Sequence, residues 1–175
     1  MYYLNDAIDL INRFMDAGGP VLSLIAILTF FMWTLAFERF WYFRTELRRD
    51  VDAAISKWES RRERKSWNAQ QIRMRLISEV KLKINQNLPM IKTLVALAPL
   101  FGLLGTVYGM IEVFNIMAVT GGGDAKSMAG GVSKATIPTM AGMVAALSGV
   151  FANTYITQIA GRESELLEDH LTRDH

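Results

Sequence analysis

Three long uncharged runs alternate with polar stretches along the chain. The first, Pro20 to Phe37, is just long enough to cross a hydrocarbon core of about 30 Å. Gly18-Gly19-Pro20 punctuates its start, and Glu38-Arg39-Phe40-Trp41-Tyr42-Phe43-Arg44 closes it with rings and arginines, residue types that settle at a headgroup boundary. The second runs from Thr93 to Ile111 and continues past a lone Glu112 to Gly123; the third, Ala135 to Gly161, carries no charge. Ahead of the first run, Leu4, Ile8, Ile11 and Met15 recur at helical spacing, which predicts an amphipathic helix lying in the membrane interface. Asp6, Asp9 and Asp16 there outnumber Arg13, so the segment does not read as a signal peptide. The pattern predicts an all-α membrane protein with three transmembrane helices and helical cytoplasmic extensions.

Charge sets the expected orientation. Of 19 Lys and Arg residues, 14 lie between Arg39 and Lys92, and cytoplasmic loops collect such charge. The expected layout is an outer amphipathic segment at 1–19, a first span at 20–43 and a cytoplasmic helical loop at 44–90. A second span follows at 91–117, a short outer loop at 118–131, a third span at 132–160 and a cytoplasmic tail at 161–175. The N-terminus then lies outside and the C-terminus inside. In the inner loop Val51, Ile55, Trp58, Ile72, Leu76, Val80 and Ile84 fall at helical spacing, the last four in one stripe. Its basic residues are interleaved with acidic ones and no nucleic-acid motif is present, so a solvated face near anionic lipid is expected and nucleic acid is not. Asn87-Leu88-Pro89 predicts a bend before the second span.

Composition adds exclusions. Half the residues are apolar, 51%, and there is no cysteine, which removes disulfides and thiolate chemistry. Gly121-Gly122-Gly123-Asp124-Ala125-Lys126-Ser127 resembles a phosphate loop but lacks the Gly before Lys, so a turn is expected. His170 and His175 make no metal site on their own, and no nucleophile, base and orienting group can be assembled from the spans. Neither enzyme activity, cofactor nor metal is expected.

The second and third spans are rich in small residues. Gly102, Gly105 and Gly109 lie in one; Ala141, Ala145 and Gly149 step by four along the other. Such spacing lets helix backbones approach closely. Packing within one chain accounts for some of these positions, and an oligomer interface or a central pore is expected for the pair of helices. Thr136, Thr139, Asn153 and Thr157 fall near one face of the third span, with Thr106 as the candidate in the second. A hydroxyl bonded to a backbone carbonyl one turn back is the alternative for any single threonine. Pro99 and Pro138 remove backbone bonds inside spans, which points weakly to interior faces.

Ala98-Pro99-Leu100-Phe101-Gly102-Leu103-Leu104-Gly105-Thr106-Val107-Tyr108-Gly109-Met110-Ile111 resembles the second-span signature of the MotA/TolQ/ExbB proton-channel family. Gly131-Val132-Ser133-Lys134-Ala135 through Thr139 and on to Gly142 resembles its third-span segment, and the stretch from Glu38 to Arg44 resembles its first-span exit. The likeness runs from about Pro20 to Gly161, in a chain short for the family and similar to compact ExbB-like subunits. It implies a homopentamer in a Gram-negative inner membrane, around an ExbD-like partner and coupled to a TonB-like protein for outer-membrane import. Thr106 and Thr139 match the family's pore-facing threonines. Lys134 stands where typical ExbB proteins have a glutamate implicated in function, so no role for an acid carries over to it. A TolQ-like subunit for outer-membrane integrity would share the motifs, and a non-conducting scaffold would share the packing.

Proton movement through a bilayer needs a titratable group at depth, and the second and third spans hold no Asp, Glu or His near their middles. The carboxylate is therefore expected from a partner. At 1.5 Å per residue, Glu112 lies roughly 9 Å outward of Thr106 and Lys134 roughly 8 Å outward of Thr139. If the threonines share a depth, Glu112 and Lys134 can pair near the outer mouth, within or between subunits. The alternative is two charges that snorkel separately to the interface.

Overall fold

The computed structural model describes residues 2–61, 63, 66–121 and 125–171. They form five helices: α1 (Tyr2–Thr45), α2 (Leu47–Glu59), α3 (Trp67–Asn85), α4 (Leu88–Thr120) and α5 (Ala125–His170). Three of the helices are long and apolar enough to cross a membrane, so the protein is an all-α, multi-pass membrane protein. Helix α1 is broken at Gly19 (φ 64°, ψ −163°), backbone that only glycine adopts readily, and Pro20 restarts the helix without needing its missing N–H. The bend expected at Asn87-Leu88-Pro89 lies at Gln86–Asn87, where Asn87 takes φ 64°. Asparagine tolerates that left-handed conformation better than most residues. Helical structure reaches Thr120 on one side and resumes at Ala125 on the other, inside the stretch 118–131 read as a loop. Gly122, Gly123 and Asp124 of that connection, and His175 with the last residues of the tail, lie outside the described residues.

The chain divides into two compact units. One comprises Met1–Trp33 and Thr93–Val150. Its core is Val21, Ile25 and Leu28 of α1 against Ala98 of α4 and Ala145 and Ala146 of α5, with Leu94, Leu97 and Phe101 packed around them. Leu24, Ile27, Phe30 and Phe31 of α1, Leu100, Leu103 and Val107 of α4, and Met143, Val144 and Leu147 of α5 stay exposed. Outward apolar side chains are ordinary for helices solvated by lipid tails, which are as apolar as leucine.

The other unit comprises Thr34–Lys92 and Phe151–His175. Helix α2 packs on α3, and Ala54, Trp58, Leu76, Ile77, Val80 and Ile84 are buried between elements of this unit, along with Leu167 and Leu171 of the tail. Ser66 caps α3 by accepting from the Ala69 amide at 3.3 Å. Arg73 donates to the carbonyls of Glu168 (3.2 Å) and Leu171, which satisfies the open C-terminal end of α5, and Lys81 pairs with Glu168.

The end of α1 enters this unit through a polar junction. Arg39 is 2% exposed, a buried guanidinium where the sequence pattern placed a headgroup anchor. Its Nε and one Nη donate to the Glu38 carboxylate at 3.0 and 2.7 Å, and the other Nη donates to the Lys83 carbonyl at 2.8 Å. The Tyr42 ring lies under the guanidinium, 4.7 Å from its centroid. Asn87 Nδ2 donates to Glu38 at 3.1 Å. Asp50 of α2 accepts from Tyr42 (2.9 Å) and from the Lys83 ammonium (2.8 Å), so Lys83 serves the junction with both its main chain and its side chain.

Candidate functional site

The seam between α4 and α5 is built from glycine. A Cβ on Gly102 would sit 3.0 Å from the Thr139 Cα, one on Gly105 would fall on the ring of the fully buried Pro138, and one on Gly109 would lie 2.6 Å from the Ala135 Cβ. Beyond these, Gly131 faces Val113, and a Cβ on Gly142 would lie 2.6 Å from the Ala98 carbonyl oxygen. The paired numbers rise on one helix as they fall on the other, so the helices run antiparallel in tight backbone contact. Gly149 faces Met32 of α1 and Val95 of α4. These glycines therefore serve packing within one chain. Of the alanines grouped with them, Ala145 is in the core, while half-buried Ala141 lines an apolar groove of about 720 Å³ with Thr29 and Trp33 of α1 and Ser148 of α5.

Close approach exposes carbonyls to side chains across the seam. Thr139 Oγ1 donates to the Gly102 carbonyl at 2.8 Å, an interhelical bond that a Cβ at position 102 would obstruct. Thr106, one turn further along α4, donates instead to the Leu103 carbonyl of its own helix at 2.7 Å. Both hydroxyl protons are thus engaged, and the oxygen lone pairs remain to accept a bond from a protonated carboxyl or water. Chemically the site is a wall of acceptors with no acid of its own. Thr136 is exposed on the same unit, whereas half-buried Asn153 and exposed Thr157 belong to the other unit.

Glu112 and Lys134 line one cavity of about 270 Å³ with Gly109, Val113, Ile116, Gly130 and Gly131. Among the described residues no ion pair joins them. Gly109 meets Ala135 and Val113 meets Gly131, a register that sets Lys134 two residues, about 3 Å of helix rise, from the position opposite Glu112. A smaller adjoining space adds Asp16, Gly18, Gly19 and Tyr108 to the same two charges. The sequence pattern gave no hint that Asp16 would share this space. Arg39 was equally hidden, since its acceptor carbonyl is 44 residues away.

Residues 43–169 match the MotA/TolQ/ExbB proton channel family. The chain belongs to that family. Among MotA/TolQ/ExbB relatives, the ExbB-like 1 protein of Synechocystis sp. is 28% identical, over 93% of this chain and 76% of that protein. The biopolymer transport protein ExbB of Helicobacter pylori is 33% identical over 53% of this chain, and exbB1 of Vibrio cholerae is 32% identical over 54%. Those alignments cover 61% and 42% of the two relatives, less than two thirds of either. The family match spans α2 to α5 and so includes the whole threonine–glycine seam.

Proposed function

We propose that the chain is an ExbB-like proton-channel subunit that, with an ExbD-like partner, uses the proton motive force to energise a TonB-like protein. Membership in a proton-channel family supports the general activity, and the ExbB names of the relatives favour this branch. The observation that carries the reading is the make-up of the α4–α5 wall. No Asp, Glu or His lies between Lys92 and Glu112 or between Lys134 and Arg162, yet Thr139 holds its hydroxyl across the seam and Thr106 holds its own on the next turn of α4. A proton relay at that depth needs a carboxyl, and a wall with acceptors but no acid fits a carboxyl brought by another chain. Five copies around the partner's helices, in an inner membrane with the N-terminus outside, complete the arrangement. Thr136 extends the polar face, Asn153 and Thr157 are further candidates along α5, and Glu112 with Lys134 would pair at the outer end of that face between subunits if not within one.

The test is proton flux in vesicles that hold the assembled complex. Thr106→Val and Thr139→Val should each abolish most of the flux while the complex still assembles, and Thr139→Ser should restore it. Undiminished flux in both valine variants would overturn the reading and leave a packing scaffold.

A further inference from the structure

The family match begins at residue 43, so Glu38 and Arg39 lie ahead of it, and neither residue belongs to the threonine–glycine seam. We infer that Glu38, Arg39 and Asn87 are positioning residues that fix the α3–α4 break and thereby the first turn of α4. The inference rests on the channel reading for its functional half only.

Three observations converge. First, the break is conformationally demanding: Asn87 holds φ 64°, and Gln86 before it leaves the helix with φ −57° and ψ 138°. The Asn87 carbonyl then accepts the first bond of α4, from the Ile91 amide at 3.0 Å. Second, α1 grips both sides of that break. Arg39 reaches the Lys83 carbonyl in the last turn of α3, and Glu38 accepts the Asn87 side chain. The Asn87 side-chain N–H is thereby committed to α1. Third, the burial is lopsided. The Arg39 side chain is 3% exposed and Glu38 is 46% exposed. A buried guanidinium is costly unless its donors are filled, and here Glu38 and the Lys83 carbonyl fill three of them while a ring covers one face. A residue needed only for charge at a headgroup boundary would stay wet. This one reads the direction of a carbonyl and of an adjacent carboxylate at once, which the planar fork of arginine can do and a lysine ammonium cannot.

Hydrogen exchange measured by mass spectrometry on the full chain in its complex reads the clamp directly. In Arg39→Met the stem still fills its space, and in Asn87→Gly the left-handed backbone is still allowed. Both should speed exchange across residues 84–92 on the order of tenfold, with residues 67–80 of α3 unchanged. Arg39→Lys should resemble Arg39→Met. Proton flux per assembled complex should fall in all three. Unchanged exchange at 84–92, or a rise spread evenly through α3, would overturn the clamp. Localised exchange with full flux, in a complex that Thr139→Val silences, would overturn the positioning role and leave the channel reading intact. A wild-type complex without flux would instead count against the channel reading, and the exchange result would still decide the clamp.

Discussion

At position 105 a single methyl group would meet the Pro138 ring, which is fully buried and cannot rotate away. Gly105→Ala should therefore force α4 from α5 and cost about 1–3 kcal/mol. Gly130, also helical, has open space where its Cβ would be, and Gly130→Ala should be neutral or slightly stabilising. Thermal unfolding of the purified protein in detergent compares the two, and equal midpoints would contradict the seam. Single residues were unevenly legible in the sequence. The spacing of Gly102, Gly105 and Gly109 announced close packing, because small side chains have that consequence wherever they repeat. It did not announce the partner, and the structure uses these glycines inside the chain. Arg39 was misread for a related reason: a charge at the end of an apolar run is ordinarily wet, and the carbonyl that keeps this one dry is supplied from α3.

Among elements, α2 is held to its neighbours through Asp50. Burial disfavours the Asp50 carboxylate, but hydrogen bonds from Lys83 and Tyr42 outweigh it and hold the carboxyl below the usual range. A folded value below the unfolded one, near 4, makes this contribution complete above that unfolded value. It is lost as pH falls through the lower folded value. In Asp50→Asn, exchange in α2 should be faster at neutral pH and the wild-type response to acid should shrink. The effect should stay below about 1 kcal/mol, because Lys83 is half exposed. An identical acid response in wild type and variant would refute the assignment. Element boundaries were most legible where local chemistry sets them, as at Gly18-Gly19-Pro20 and Asn87-Leu88-Pro89. They were least legible at 118–131, since helical hydrogen bonding need not stop where hydrophobicity does.

For the whole molecule, the absence of cysteine permits a clean test of orientation. Single substitutions at Ser60, beyond α2, and Gly130, near the start of α5, introduce one thiol each at exposed positions. A membrane-impermeant maleimide should label Ser60→Cys only in inverted vesicles and Gly130→Cys only in right-side-out ones. The opposite pattern would reverse the proposed topology. The α4–α5 seam has a mechanical meaning as well. Because the Pro138 ring sits in the notch at Gly105, α4 and α5 cannot slide past each other there without the ring leaving that notch. A displacement imposed on one helix is therefore carried to its neighbour, and the close-packed hairpin is expected to move as a single stiff body.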